Sequence, residues 1–407
     1  MKKFLIRLPL LLLAALFVIA LFSCRTRDFS PAGAGRVPLK PETGADSLSS
    51  LADSTAETEE IPEPAPTAEE LREAVIDRIL AEMTMEEKLG QMFLASYSGE
   101  NTAEILAQYH FGGFLLFAAD FESETPETIA ADLAALQESA AHGLILAVDE
   151  EGGTVTRISR YPQYRETPFP SPREIYRTGG MEGIRADAIE KARLLSSLGL
   201  NLNMAPVCDI STEAGDFMYA RSLGENAEVT AAFVSLVVEE SKRLGIGSVL
   251  KHFPGYGKAV DTHTGIAYDY RTYHEFAACD LIPFQAGIDS GAEMVMLSHI
   301  IVSAIDPERP VSVSDKAVTL LRSELGFDGV IITDDLAMAG ITSFSETGYA
   351  ALDAMMAGCD MLCCSNWQEQ YPAVLAACQD GTIPESRLDD SVRRILRMKI
   401  SIGIIED

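Results

Sequence analysis

The sequence predicts an α/β chain whose folded body is a (β/α)8 TIM-like barrel, and three observations lead there. Eight short apolar or β-rich runs alternate with amphipathic helical stretches. Each run is apolar almost throughout, as strands buried on both faces must be. Polar or ionisable side chains recur at the C-terminal ends of five of the eight. The runs are Gln91 to Ser96, Gly113 to Phe117, Leu144 to Val148, Leu200 to Pro206, Ile246 to Leu250, Ala292 to Leu297, Gly329 to Thr333 and Asp360 to Cys364. An open doubly wound sheet is the alternative; the count of runs and the lack of a G-x-G-x-x-G loop after the first one disfavour it.

Ahead of the barrel, residues 1–24 carry Lys2, Lys3 and Arg7, then the apolar run Leu8 to Phe22, then Ser23 and Cys24. A charged start, a short apolar stretch and a small residue before the break make a secretory signal. The tetrad L-F-S-C resembles a bacterial lipobox, which implies that Cys24 becomes the lipidated first residue after cleavage. An uncleaved N-terminal anchor is the competing reading. Either way the body is expected outside the cytoplasmic membrane and attached to it, and stable attachment needs more than one acyl chain. Residues 25–67, rich in Pro, Ala, Ser, Thr, Gly and Glu, have too little apolar surface to order themselves and read as a tether. The barrel domain is assigned to 68–407.

Within that domain, Ala68 to Met83 has helical spacing with an acidic first turn, and Thr84 followed by Glu87 is a capping box. Later helices are predicted over Ile129 to Ala141, Ala227 to Leu244, His274 to Asp289, Asp315 to Leu325, Thr347 to Ala357 and Glu385 to Met398. A hydrophobic content of 47% is ample for a core of this size. The net charge of -29 argues against nucleic acid or an anionic membrane face as partner, because such surfaces need clustered Lys and Arg. Beyond Cys24 the cysteines lie in apolar surroundings without metal-ligand spacing, so buried free thiols are expected rather than disulfides.

In a parallel barrel the strand ends converge on one rim, where barrel enzymes do their chemistry. Asp149 ends the third run, Lys251 and His252 the fifth, Ser298 and His299 the sixth, Asp334 and Asp335 the seventh, and Ser365 and Asn366 the eighth. The loops after the fourth and fifth runs are the longest and carry Arg221 and the pair Asp261/His263. In K-H-F-P-G-Y-G-K-A-V-D-T-H, Lys251 to His263, Gly255 and Gly257 allow sharp turns, and a carboxylate two residues from an imidazole can hold it as a general acid. A surface loop with a chance Asp and His is the competing reading of that stretch alone. A solvated surface lysine is the alternative for Lys251.

With no metal triad, nucleotide loop, or Ser or Cys nucleophile signature, the tools left are carboxylates and imidazoles, and neither metal nor cofactor is expected. Asp334, after G-V-I-I-T, is the nucleophile candidate, with Asp335 in support; either could instead simply cap the next helix. Displacement at an acetal carbon needs a nucleophile on one face and a proton donor to the leaving oxygen on the other. His263 beside Asp261 is placed to be that donor.

The set K-H-F-P-G-x-G, D-[ST]-H, I-T-D-D-L-A-M and D-E-E-G-G resembles the barrel domain of glycoside hydrolase family 3, in particular its β-N-acetylglucosaminidases, from about Thr84 onward. The resemblance implies Asp334 as nucleophile and Asp261 with His263 as the acid/base dyad. It implies Asp149, Arg157, Arg221, Lys251 and His252 as sugar-holding residues and His299 as lining the pocket. Three positions depart from the family pattern: Tyr256 replaces a usual His, the gap from Gly257 to Asp261 is one residue shorter, and Ala267 replaces a usual Pro. A different closure of the catalytic loop is the expected consequence. Because the sequence stops at Asp407, the acid is expected from the barrel itself rather than from a second domain.

The resulting expectation is a monomeric, membrane-tethered, extracytoplasmic retaining exo-β-N-acetylglucosaminidase. Its expected partners are the membrane, through the lipid, and an N-acetylglucosamine-containing glycan or muropeptide from peptidoglycan. A β-glucosidase or glycoside phosphorylase of the same family, and a non-catalytic sugar-binding lipoprotein, are the alternatives.

Overall fold

A strand forms at each predicted run, seven inside the run and one extending past its end. The structure is a computed structural model that describes residues 66–258, 261–262 and 265–406. Cys24, the leader, nearly all of the tether, and His263 lie outside the described residues. In chain order the strands are β1 Phe93–Ser96, β2 Gly113–Leu116, β3 Ile145–Val148, β4 Leu202–Asn203, β5 Gly247–Phe253, β6 Ala267–Asp269, β7 Met294–Leu297, β8 Ile300–Val302, β9 Val330–Thr333 and β10 Leu362–Cys364. Eight of them pair in the order β10-β1-β2-β3-β4-β5-β7-β9, all parallel. Met361, just before β10, bridges Ile332 of β9, and the backbone N–H groups of Asp360 and Met361 donate to the Ile331 carbonyl at 2.8 and 3.0 Å. The two ends of the sheet therefore meet, and the ring is a TIM-like barrel.

Nearly every strand residue of this ring is buried, which is what unbroken apolar runs require. The helices packed around it include α1 Ala68–Glu82, α2 Met85–Gln91, α3 Thr102–Tyr109, α4 Pro126–Ser139, α5 Pro172–Ser197, α6 Ala227–Arg243, α7 Leu281–Asp289, α8 Asp315–Thr319, α9 Ala350–Ala357, α10 Trp367–Gln379 and α11 Glu385–Ser401. Thr67 and Thr84 form capping boxes with Glu70 and Glu87, so the acidic first turns of α1 and α2 satisfy their own N-terminal N–H groups. α8 runs on into a π-helical turn, Leu320–Glu324. The stretch predicted as one helix from His274 breaks, because Asp280 turns inward to hold Arg271 at 2.6 Å.

Three features differ from the sequence reading in ways that shape the site. β5 continues through Phe253, so Lys251 and His252 belong to the strand rather than to the loop behind it. β4 is short, and the chain beyond it stays against β5 through backbone bonds: the Ala205 carbonyl accepts the Val249 N–H at 2.9 Å, and Val207 bridges Lys251. β6 and β8 form a separate two-stranded parallel ribbon beside the barrel.

At the opposite end of the barrel from the rim, the β9–β10 seam is fastened by the fully buried Asp360. Its carboxylate accepts from the Ile331 N–H at 2.9 Å, Ser391 Oγ at 2.8 Å and Arg394 Nη1 at 3.2 Å, and it pairs with Arg322. Cys208, Cys359, Cys363, Cys364 and Cys378 are buried free thiols; Cys279 is half-buried. Burial pushes the Cys359 thiol up to about 12 and that of Cys378 to about 11, which keeps both protonated at neutral pH.

Candidate active site

The turn after β3 carries three consecutive carboxylates with different tasks. Glu150 points away from the rim and accepts from the N–H groups of Arg157 at 2.9 Å and Ile158 at 2.8 Å, and from Ser159 Oγ at 2.5 Å. It thereby folds the following loop back and brings Arg157 Nη2 to 3.8 Å from Asp149 Oδ2. Gly152 permits this turn: its φ is +99°, and a Cβ there would stand 2.3 Å from the Pro170 carbonyl oxygen.

Asp149 and Glu151 meet the β5 lysine. Lys251 Nζ lies 2.7 Å from Asp149 Oδ1 and 2.6 Å from Glu151 Oε1. Glu151 also receives a bidentate fork from Arg221, Nε to Oε2 at 2.9 Å and Nη2 to Oε1 at 2.7 Å. Burial alone would neutralise Glu151, but Lys251 and Arg221 outweigh it and hold the carboxyl far below the usual carboxylate range. Burial likewise opposes the charge on Lys251, and Asp149 and Glu151 reverse that, raising its pKa. Asp149, Glu151, Lys251 and Arg221 thus form one ion-pair network, buried at Glu151 and Lys251, with Arg157 at its edge.

His252 is held by Asp209 from the loop after β4. Its backbone N–H and its Nδ1 reach Asp209 Oδ2 at 3.1 and 2.7 Å, while Nε2 faces Arg221 Nη2 at 3.3 Å. Guanidinium can only donate, so the Arg221 contact is a hydrogen bond when Nε2 accepts and Nδ1 carries the hydrogen that Asp209 receives. The other oxygen of Asp209 accepts the Tyr256 N–H at 2.7 Å, so one carboxylate places both residues.

Asp334 follows β9. Its N–H donates to the Leu297 carbonyl at 3.0 Å, and its Oδ1 accepts the Asp335 N–H at 2.9 Å, leaving Oδ2 outside that pair of contacts. Burial works against its charge, yet the imidazoles of His299 and His252, the Asp335 N–H and Lys251 together hold its pKa below the ordinary value. Asp335 is spent on structure: Oδ2 accepts Ser365 Oγ at 2.6 Å and Oδ1 accepts the N–H groups of Ser365 and Ala337, both at 3.1 Å. His299 is fully buried, with Nε2 donating to the Asp335 carbonyl at 3.0 Å and Nδ1 2.8 Å from Ser312 Oγ.

Asp261 stands half-buried in the loop after β5, and Thr262 beside it is fully buried. Thr262 Oγ1 is 2.5 Å from the Tyr256 hydroxyl, the Thr262 N–H donates to the same oxygen at 3.3 Å, and the Thr262 carbonyl accepts the Gly340 N–H at 3.1 Å. Gly340 lies on the segment that follows Asp334, where a Cβ would stand 2.9 Å from that carbonyl oxygen. The loops bearing the two chemical candidates are therefore bonded to each other.

Asp149, Arg157, Arg221, Lys251 and His252 form one linked cluster, and Asp334 and His299 share its electrostatics. Sequence reasoning overlooked Glu151 and Asp209. Asp209 lies three residues beyond the fourth run, one further than any residue the strand-end criterion takes in, so a slightly wider window finds it. Glu151 is next to two similar carboxylates, and only packing tells them apart. Among the described residues no group of three or more His, Cys, Asp or Glu is arranged to hold a metal ion.

Comparison with known proteins agrees with this architecture. A model of the glycosyl hydrolase family 3 N-terminal domain matches residues 84–398. A β-hexosaminidase from Methylococcus capsulatus is 34% identical over 300 residues, 72% of this chain and 86% of that protein. Among solved structures, a family 3 β-N-acetylglucosaminidase from Paenibacillus sp. superposes with a TM-score of 0.74 at 31% identity, covering 79% of this chain and 63% of that one. LpqI of M tuberculosis gives 0.71 at 30% identity, covering 80% and 96%. On the extent of the family match and the barrel that carries it, the chain belongs to glycosyl hydrolase family 3 and is a glycoside hydrolase.

Proposed function

We propose that the protein is a retaining exo-β-N-acetylglucosaminidase in which Asp334 is the nucleophile and His263, assisted by Asp261, is the acid/base. The observation that carries this reading is the state of Asp334: ionised, fixed by two backbone contacts at a strand end, and beside a cluster of sugar-binding character. The names of the hexosaminidase relatives support the choice of sugar. Asp149, Lys251 and Arg157 supply the donors and acceptors that vicinal sugar hydroxyls need, and Arg157 Nε has no hydrogen-bond partner among the described residues.

In the first step Oδ2 of Asp334 bonds to the anomeric carbon while the glycosidic C–O bond breaks and the departing oxygen takes the proton of His263. In the second, His263 removes a proton from water, the new hydroxyl bonds to the same carbon, and the Asp334 ester bond breaks. Two inversions return the sugar with its β configuration.

The trial is trapping. A 5-fluoro N-acetylglucosaminyl fluoride should leave one sugar on the peptide containing Asp334, read by mass spectrometry, and a label on any other residue overturns the assignment. Turnover of aryl N-acetyl-β-glucosaminides should exceed that of aryl β-glucosides and should not depend on phosphate; the reverse pattern would favour a glucosidase or a phosphorylase.

The signal-like leader and the tether support a second part of the proposal: the enzyme is anchored outside the cytoplasmic membrane through lipid on Cys24 and acts on peptidoglycan fragments. Cys24→Ala should move the protein from the membrane to the soluble fraction. Retention in the membrane would leave an uncleaved leader as the anchor.

A further inference from the structure

Beside the catalytic rim, two aromatic rings stand in water. Tyr268 and Tyr270 are two residues apart on and just after β6, so both project from the same side of the ribbon. Their ring planes differ by 6° with centroids 6.1 Å apart, and the residues are 49% and 78% exposed. Burying either ring would be favourable, and adjacent near-parallel aromatic faces left in solvent mark an interaction surface. Their support is firm: Ala267 and Asp269, the alternate residues, are buried, and β6 pairs residue for residue with β8. Arg271 clamps the strand by reaching Asp269 Oδ2 at 2.9 Å and Asp280 Oδ2 at 2.6 Å.

The rings line a cleft of about 350 Å³ together with Thr212, Glu213, Asp216, Gly257 and Lys258. That cleft is continuous in the chain with the active site on both walls. Thr212 lies three residues after Asp209, whose carboxylate places His252 and Tyr256, and Gly257 and Lys258 directly follow Tyr256. Lys258 Nζ and Glu213 Oε1 are 2.7 Å apart, both well exposed. Flat apolar faces flanked by carboxylates and an ammonium suit a pyranose, whose C–H face stacks on an aromatic ring while its hydroxyls bond to the polar rim. The base of a nucleotide would also stack, but Glu213, Asp216 and the net charge of -29 repel the nucleotide's phosphates.

We propose that this cleft is a subsite for the leaving-group side of the glycan: it holds a saccharide beyond the bond being cleaved, with Tyr268 and Tyr270 as the stacking platform. The proposal rests on the glycosidase reading and names the substrate as an oligosaccharide rather than a small glycoside.

The experiment compares wild type with the double variant Tyr268→Ala/Tyr270→Ala on two substrates, an aryl N-acetyl-β-glucosaminide, which has no further sugar, and a β-linked N-acetylglucosamine tetrasaccharide. Activity on the aryl substrate should stay within about twofold, which also reports that the variant is folded. kcat/KM on the tetrasaccharide should fall about tenfold, and Tyr268→Phe/Tyr270→Phe should recover most of it. Equal effects on both substrates, or none on either, overturn the subsite. Should wild type cleave neither substrate, the glycosidase reading itself fails, and titration calorimetry with the tetrasaccharide then judges the cleft: binding lost in the Ala double variant upholds it, and no binding or unchanged binding overturns it.

Discussion

Asp334 satisfies two demands that usually conflict, since a buried carboxylate tends to take up a proton and an exposed one is poorly aimed. Here Asp334 is half-buried and fixed by the Leu297 carbonyl and the Asp335 N–H, and His299, His252, that N–H and Lys251 keep it charged. In the proposed mechanism its ionised form attacks, and its folded pKa is depressed, so the reactive form is lost only as pH falls through a value below the ordinary 3.9 or so of an aspartate. The acid limb of kcat/KM on a substrate with a good leaving group, which needs little help from a proton donor, should therefore lie below about pH 4. A limb at pH 5 to 6 on that substrate would mean that another group limits attack. Asp209 acts at one remove, through His252 and Tyr256. Asp209→Asn should cost on the order of 10- to 100-fold in kcat/KM, as losing an orienting partner generally does. The larger share should fall on KM if His252 holds sugar, and a change in kcat alone would contradict that role. At this scale the sequence was informative where a strand end displays a residue, as for Asp149, Lys251 and Asp334. It was uninformative where identity depends on direction: nothing in Asp149-Glu150-Glu151 says that the first and third face lysine while the second turns back to bond its own loop.

Among elements, the join between the β5 loop and the segment after β9 matters most. Tyr256 was legible as a departure from the family pattern, with altered loop closure as its expected effect. What the sequence could not supply is the contact, because a hydroxyl bond across six residues of an aperiodic loop leaves no pattern. In the structure the Tyr256 ring is buried against Phe217 and His252, and its hydroxyl holds Thr262, between Asp261 and His263 in the chain. Tyr256→Phe keeps the ring and removes the bond, leaving a buried threonine unsatisfied at about 1–3 kcal/mol. If the bond positions the proton donor, turnover of poor leaving groups should drop severalfold more than that of good ones, steepening the dependence of kcat on leaving-group pKa. A uniform drop would assign Tyr256 to packing alone. The β6–β8 ribbon escaped prediction for a related reason: three-residue strands amid Gly, Thr and Asp carry no periodicity.

For the whole molecule, the alternation of eight buried strands with helices was plain in the sequence, while the means of closing the ring was not, because Asp360 and its partners are scattered over β9, β10 and the helices below them. The same lower end holds Lys399 of α11, fully buried, with Nζ donating to Gln91 Oε1 at 2.6 Å and to the carbonyls of Gly143 at 2.8 Å and His142 at 3.3 Å. All three acceptors are neutral, and burial brings its pKa down to about 7. In the unfolded chain a lysine titrates near 10.4. Between those two values the unfolded state binds a proton that the folded state lacks, so stability rises with pH across the window, and the full cost of burying the charge is felt below it. The slope approaches 1.36 kcal/mol per pH unit, about 2 kcal/mol between pH 7 and pH 9. Lys399→Met keeps the length of the side chain without the titration. Denaturant unfolding of both proteins at pH 7, 8 and 9 should show wild type gaining on the variant by about that amount. A difference independent of pH would mean that Lys399 stays charged in the fold, with Gln91 and two carbonyl dipoles sufficient to hold an ammonium at the base of the barrel.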